Sequence, residues 1–246
     1  MRITMAGSSD IGKIRKENQD SYHLDESVGL AVLCDGIGGR QGGKRASHLA
    51  CEIVHRELSS KKKDEPEDSF ISSFLVDAIT KANDILLNEG QKNPHLEGMG
   101  TTLECLYFTA ENLYIGHIGD SRTYLYQDEK INQLTIDHSV ISLVSHGLLT
   151  PEALTPHNSN SLVRAVGLST DCEADVYTHP IKSGDLFLIA SDGLFNMVGD
   201  EEIASILALN DQQQAPSLQE LAQTLVKAAN ERGGRDNITV IICLVE

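Results

Sequence analysis

Positive charge is scarce in this sequence. Its 20 lysine and arginine residues stand against 36 aspartate and glutamate residues, so the formal net charge is -16 at pH 7. Binding to a nucleic-acid backbone or to anionic lipid requires lysine and arginine clustered on one face. The composition therefore argues against a nucleic-acid-binding protein and against one that binds a membrane surface.

Paired cysteines and long apolar runs are also missing. The five cysteines are scattered without a CxxC pair, which is typical of reduced thiols and not of a disulfide framework or a zinc site. The apolar runs at 28–34 and 239–245 are far shorter than the roughly 18 residues that a membrane-spanning helix needs. No basic and apolar leader opens the chain, and no tail follows Glu246. These features predict a cytoplasmic protein that is neither secreted nor tethered to a membrane.

Periodicity predicts an α+β fold. The 246 residues with 40% hydrophobic content fit one large domain, residues 1–246. The connections at 109–111 and 127–129 are too short for parallel crossovers, so we expect a largely antiparallel sheet. Residues 61–68 are expected to join two helices, and residues 139–161 to form a partly helical excursion over the surface. Helical periodicity covers 46–58, 71–86 and 218–229, and strand-like runs cover 29–34, 102–108, 112–118, 123–126, 130–134, 175–178, 186–190 and 237–244.

Four aspartates stand at the ends of predicted strands. Asp35, Asp120 and Asp192 each follow an apolar run, and Asp236 directly precedes one. A single Asp-Gly step is a common turn dipeptide, but four such aspartates at one rim of a sheet would repel one another unless cations offset their charge. A ligand set made only of oxygen, to which the Gly36 carbonyl could add, favours Mg²⁺ or Mn²⁺ over zinc or copper.

The predicted cluster indicates hydrolysis of a phosphoester. Two such ions about 3.5 to 4 Å apart can activate a water and hold a phosphoryl oxygen without any protein nucleophile. A guanidinium suits the phosphate because of its fork of donors, and Arg15 is the candidate. The alternative is that Arg15 is an ordinary surface residue paired with Glu17 or Asp20.

The order of short motifs resembles the metal-dependent protein phosphatases of type 2C in their short bacterial form, over essentially the whole chain. Any one motif is weak evidence, but the full ordered set is strong. The set consists of GKIRKENQD (12–20), DGIGG (35–39), GKRAS (43–47), GMGTT (98–102), GDSR (119–122), LTIDHS (134–139), VRAVG (163–167), SDGL (191–194) and GRDNIT (234–239).

The resemblance implies a fold and a set of roles. The fold would be a four-layer αββα sandwich, two antiparallel sheets between pairs of helices, and residues 139–161 would be a mobile flap near the site. Asp35 would bridge two catalytic metals, and Asp120 with Asp192 would bind a third. Arg15 would hold the phosphate. The remaining roles would fall to Asp192 and Asp236 at the first metal, the Gly36 carbonyl at the second, and Asp20, which would hydrogen-bond a metal-bound water.

Three positions depart from the family pattern. Many relatives carry histidine where this chain has Ile37 or Arg40, so no histidine general acid is assigned. Gln19 stands where some members have glutamate, which removes one possible ligand of the second metal. His117 and His138 are interpreted as ordinary satisfied side chains. Arg122 and Arg164 are expected to brace acidic loops, and Thr101 and Thr102 to be structural.

The sequence therefore predicts an enzyme, a cytoplasmic protein serine/threonine phosphatase with two or three Mn²⁺ or Mg²⁺ ions. Its expected partners are phosphorylated proteins, among them a serine/threonine kinase and its targets, and it is expected to be a monomer. Two alternatives stay open: a catalytically silent regulatory module of the same fold, and a phosphodiesterase or small-molecule phosphatase that uses the same metals.

Overall fold

The computed structural model describes residues 1–37, 41–62, 67–155, 158–159, 161–212 and 214–246. The strands in these residues are β1 (Ile3–Asp10), β2 (Asp20–Asp25), β3 (Leu30–Ile37), β4 (Gly100–Thr101), β5 (Leu103–Phe108), β6 (Asn112–Ile118), β7 (Arg122–Gln127), β8 (Lys130–Gln133), β9 (Asp175–Pro180), β10 (Leu186–Ala190) and β11 (Ile238–Val245). The helices are α1 (Gln41–Lys62), α2 (Asp68–Lys92), α3 (Val140–Ser145), α4 (Asp192–Phe195), α5 (Asp200–Leu207) and α6 (Leu218–Glu231). Short 3-10 turns cover Pro94–Leu96, Pro151–Ala153 and Ala208–Asp211.

The strands form two sheets. The first has the order β1-β11-β10-β7-β8, and the second has the order β2-β3-β5-β6-β9 with β4 paired to β3. Every strand pairing in the described part of the chain is antiparallel. The predicted antiparallel arrangement is confirmed.

Three apolar cores lie between four layers. Between the two sheets, Leu106 and Ile115 of the second sheet belong to the same buried cluster as Ile189 and Ile241 of the first. Helices α1 and α2 cover the outer face of the second sheet, and α4, α5 and α6 cover that of the first. This is the expected αββα sandwich.

Strand β6 shows why the sequence folds into these layers. Leu113 and Ile115 point into the core between the sheets, while Tyr114 and Ile118 point to the α1–α2 side. Successive side chains of a strand alternate between its faces, so a strand buried on both faces reads as a continuous apolar run. That run made 112–118 predictable to the residue.

Three strands, β1, β2 and β4, and two helices, α4 and α5, were not predicted. Strands β1 and β2 are edge strands of the two sheets, and β2 has only Asp20 buried. An edge strand with a solvent-facing side carries little apolar signal. Strand β3 was predicted to end before Asp35, but it continues to Ile37. Helix α5 is only eight residues long, too short to show clear periodicity.

The segment 139–161 is partly helical, as predicted. Helix α3 begins after Ser139, whose side chain accepts a hydrogen bond from the Ser142 N–H. The turn Pro151–Ala153 is the second ordered piece. Residues 156, 157 and 160 lie outside the described residues, as do residues 63–66 of the predicted helix-helix loop and residues 38–40, which include Arg40.

No helix in the described ranges combines the length and the apolar character that crossing a membrane would need.

Candidate active site

The four strand-end aspartates meet at one rim of the sandwich. Asp35, Asp120, Asp192 and Asp236 line a single cavity of about 600 Å³, which also takes in Arg15. Antiparallel pairing brings this about, since the start of β11 lies beside the end of β10 and the end of β6 lies beside the start of β5. The remaining lining residues are Lys16, Glu17, Gln19, Gly36, Ile37, Thr102, Leu162 and Asn237.

Asp35 is held through its backbone. Its N–H donates to Thr102 Oγ1 at 2.9 Å, and its carbonyl accepts from the Thr101 hydroxyl at 2.8 Å and from the Thr102 N–H at 2.8 Å. These bonds fix the direction in which the Asp35 carboxylate points into the cavity. The two threonines thus have the structural role expected from the sequence.

Gly36 lies where three backbone segments come close together. A Cβ atom at this position would collide with the Gly43 carbonyl in the first turn of α1 and would lie 2.7 Å from the Gln19 carbonyl. The Gly36 N–H also donates to that Gln19 carbonyl at 3.2 Å. Any side chain here would push α1 away from β3, so the site requires glycine.

Asp20 lies behind Asp35 and is not part of the cavity lining. The two residues are directly paired in the β2–β3 register. Asp20 Oδ2 accepts hydrogen bonds from the Ser191 hydroxyl at 2.9 Å and from the Thr239 hydroxyl at 2.6 Å. Asp20 therefore joins β2 to the strands β10 and β11, which carry Asp192 and Asp236.

Asp120 lies in the turn between β6 and β7, and hydrogen bonds hold this turn on both sides. The Gly119 N–H donates to His138 Nδ1 at 3.2 Å, so the His138 Nε2–H donates to Asp175 at 3.1 Å. Burial, followed by the neighbouring His117, lowers the pKa of His138 to about 4, so this histidine is neutral.

His117, Arg122 and Arg164 also have structural partners. The buried His117 Nδ1 lies 2.6 Å from the buried Glu104 carboxylate, and its Nε2 lies 2.9 Å from the Ile136 carbonyl. The arginines brace acidic loops as expected, since Arg122 bonds Asp137 and Arg164 bonds Asp175.

Arg15 reaches across the cavity rim to Asp236. Its Nη2 donates to Asp236 Oδ2 at 2.6 Å, so its partner is neither Glu17 nor Asp20, the two that the alternative interpretation proposed. The Arg15 side chain is 52% exposed. It is therefore positioned at the mouth of the cavity, beside the carboxylates.

The pKa values in the cavity are those of a carboxylate cluster. Burial and then the charges of Asp20 and Asp192 raise the pKa of Asp35 well above its usual range. Burial and then Asp120 raise the pKa of Asp192 to about 7, and burial and then Asp137 raise that of Asp120 to about 6. Without a cation, these three carboxyl groups therefore keep their protons up to a higher pH than an isolated aspartate does.

The donors fit a hard divalent cation. Every side-chain donor of the cluster is a carboxylate oxygen, and Asp192 Oδ1 is buried with no hydrogen-bond partner among the described residues. Across those same residues, no three His, Cys, Asp or Glu side chains are arranged closely enough to form a complete ligand set. Both oxygens of Asp236 accept hydrogen bonds, Oδ2 from Arg15 and Oδ1 from the Asn237 N–H, so ligation of an ion by this carboxylate would have to replace or share one of them.

The structure brings six of the predicted site residues into one cavity and places the seventh, Asp20, behind Asp35. Sequence reasoning missed the part played by Asn237. Its side chain accepts from the Gln19 N–H at 2.8 Å and donates to the Ile11 and Glu17 carbonyls, which ties the segment that carries Arg15 to the start of β11. Its position directly after Asp236 in the GRDNIT motif was the available signal.

Comparison with known proteins identifies the class. A family model described as protein phosphatase 2C matches residues 13–237, and the chain belongs to that family.

Among individual proteins, the chain is 35% identical over 246 residues to the serine/threonine protein phosphatase PstP of Mycobacterium tuberculosis. That match covers 98% of this chain, but the chain spans only 45% of the length of PstP. It is 34% identical to a putative 2C-type protein phosphatase of Streptococcus pyogenes, with 98% of this chain and 96% of that protein covered. The crystal structure of the PstP catalytic domain in complex with two manganese ions superposes with a TM-score of 0.80 at 33% identity, covering 100% of this chain and 99% of that one.

Proposed function

We propose that this chain is a protein serine/threonine phosphatase that hydrolyses phosphoserine and phosphothreonine at a centre of two Mn²⁺ or Mg²⁺ ions. The observation that carries the proposal is the convergence of Asp35, Asp120, Asp192 and Asp236 on one cavity whose mouth holds Arg15. The manganese ions of the related PstP domain and the names of the relatives support it.

The carboxylates have distinct places in this proposal. Asp35 would bridge the two ions, with Asp192 and Asp236 completing one site and the Gly36 carbonyl serving the other. Asp120 with Asp192 would hold a third ion. Bound cations would supply an activated water and neutralise charge on the phosphoryl oxygens.

The other side chains orient the substrate and fix the geometry. Arg15 would exchange its bond to Asp236 for a bidentate bond to the phosphate, since both are anionic oxygen acceptors and a guanidinium offers five donors. This exchange would free Asp236 for the metal. Asp20 would hold the position of a water behind Asp35, with one oxygen anchored by Ser191 and Thr239 and the other, Oδ1, buried and without a protein partner in the described residues.

The last part of the proposal concerns the cellular setting. We infer one catalytic domain over residues 1–246 that acts as a monomer in the cytoplasm, opposes a serine/threonine kinase and uses residues 139–161 as a mobile flap. Leu162, which directly follows that segment, is part of the cavity lining. The silent regulatory alternative has no support, because all four aspartates and Arg15 are present and converge.

The test is hydrolysis of para-nitrophenyl phosphate and of a phosphothreonine peptide, with and without Mn²⁺. Wild-type protein should hydrolyse both only with metal and should favour the peptide, and Asp35→Ala should abolish activity. Asp77→Asn is the control, since Asp77 is exposed on α2. No activity under any metal would overturn the proposal, and a preference for a phosphodiester or a metabolite would establish the small-molecule alternative.

A further inference from the structure

Two loops pack together along one edge of the cavity. The Lys13 N–H donates to the Gly234 carbonyl at 2.7 Å, and Asn237 binds the carbonyls of Ile11 and Glu17 on either side of that contact. Gly234 has a φ of 50°, and a Cβ there would lie 3.0 Å from the Lys13 nitrogen. The loops therefore have a fixed relative position that a side chain at 234 would disrupt.

These loops carry three cations that the proposed catalytic roles do not use. We define Lys13, Lys16 and Arg235 as the cationic rim; all three are exposed, and Lys16 lines the cavity. Other cations nearby are already paired, Arg15 with Asp236 and Lys44 with Glu17. Within the part of the chain that the structure describes, the rim residues make no ion pair, whereas Arg232, at the end of α6, pairs with Glu202.

The rim gathers positive charge on two short loops of an otherwise acidic chain. The chain has a net charge of -16 with only 20 basic residues. Three of these, together with Arg15, lie on the two loops beside the cavity. An acidic ligand is repelled by most of this surface and attracted here, so the rim favours both its approach and its orientation.

We propose that the cationic rim selects phosphorylated protein segments that carry aspartate or glutamate close to the phosphorylated residue. The inference rests on the proposed phosphatase function and specifies its substrates. Arg15 serves the phosphate itself, while Lys13 and Arg235 lie outside the cavity lining on the same two loops that contribute Lys16 and Asp236 to it. In an extended segment, a side chain two or three residues away lies about 7 to 10 Å along the chain, within reach of a lysine or arginine at the rim.

The experiment compares two phosphothreonine peptides of identical length, one flanked by Asp and Glu and the other by Asn and Gln. Wild-type protein with Mn²⁺ at low ionic strength should show a kcat/KM about tenfold higher for the acidic peptide, from three exposed ion pairs. The ratio should fall as salt is added, because exposed charges are screened. The triple variant Lys13→Gln, Lys16→Gln, Arg235→Gln should bring the ratio close to one.

A matched control removes the same charges elsewhere. Arg2 precedes the Ile3–Val245 pair, Lys130 pairs with Gln127, and Lys182 lies two residues after Pro180, which pairs with Asn112. All three positions are at the ends of the strands that lie opposite the cavity. Their triple substitution by glutamine should leave the preference for the acidic peptide intact. A wild-type kcat/KM ratio near one for the acidic and the neutral peptide would overturn the proposed selection by the cationic rim. An equal loss of the preference in the control variant would overturn it as well.

Failure of the phosphatase function would be visible separately. If the wild-type protein hydrolyses neither peptide, equilibrium binding of the same two peptides, measured by fluorescence anisotropy, decides the matter. If the acidic peptide binds more tightly and the rim variant loses this preference, the proposed selection by the cationic rim is supported and the proposed phosphatase function is wrong. Equal binding of both peptides would also overturn the proposal that the cationic rim selects acidic segments.

Discussion

At the scale of single residues, the cavity depends on carboxylates that are costly to hold together. Burial and the neighbouring charges raise the pKa of Asp192 to about 7, against an ordinary value of 3.8. The folded metal-free protein therefore binds that proton more tightly than the unfolded chain does. Asp192 contributes stability that is fully present below pH 3.8 and is lost as the pH rises through about 7.

The substitution Asp192→Asn tests this directly. With a chelator present, the variant and the wild type should have similar free energies of unfolding near pH 4, and the variant should become the more stable one by pH 8. Urea unfolding at both pH values measures the difference. The same variant should also lose metal-dependent hydrolysis. If Asp192→Asn is less stable than the wild type at pH 8, the electrostatic explanation of the stability difference is wrong.

Thr102 provides a second test. In Thr102→Val the part-buried Asp35 N–H loses its acceptor, which should cost about 1 to 3 kcal/mol of stability because an unsatisfied donor that is shielded from water keeps its desolvation penalty. Activity should fall as well, since the direction of Asp35 is no longer fixed. Thermal unfolding and peptide hydrolysis measure the two effects.

Thr224→Val is the matched control for that substitution. Its hydroxyl is exposed on α6 and donates to the Glu220 carbonyl, far from the cavity. A loss of stability in Thr224→Val equal to that in Thr102→Val would mean that the Asp35 contact is not the cause.

At the scale of elements, helix α6 is stabilised by its own first turn. Ser217 and Glu220 form a reciprocal capping box at its start. The variant Ser217→Ala should lower the free energy of unfolding by about 1 kcal/mol while leaving kcat/KM unchanged, because the cap lies outside the site. Denaturant unfolding and a phosphopeptide assay check the pair of outcomes, and a large fall in activity would show that α6 is coupled to the cavity.

The elements also show what the sequence could predict. Buried strands such as β6 and β10 were located to the residue because both their faces are apolar, and the αββα layers followed from the motif order. The edge strands β1 and β2 were missed because half of their surface is polar. The Asp236 partner of Arg15 could not be predicted, since 221 residues separate the two in sequence and only the packing of two loops brings them together. The contacts of Asn237 with Ile11, Glu17 and Gln19 could not be predicted for the same reason.

At the scale of the whole molecule, metal binding should be linked to stability. An ion that binds only the folded protein stabilises it by about 2.7 kcal/mol at a concentration 100 times its dissociation constant. Mn²⁺ should therefore raise the midpoint of thermal unfolding in a concentration-dependent way, measured by scanning fluorimetry. Asp35→Asn should abolish the shift and Asp77→Asn should preserve it; an equal shift in both would mean that the ion binds elsewhere.

The position of β11 has a consequence for how the chain is made. Strand β11 lies between β1 and β10 in the first sheet. A ribosome releases residues 3–10 long before residues 238–245, so β1 has no partner while the residues between them are made, and the edge of β10 stays open until the same moment. Pairing between strands so far apart in sequence forms slowly, and until it forms the unpaired backbone groups of the strand edges stay exposed and can pair with other chains. The nascent chain thus depends on protection from aggregation until the strand that follows Asp236 emerges, and the same step that closes the sheet brings the last carboxylate into place.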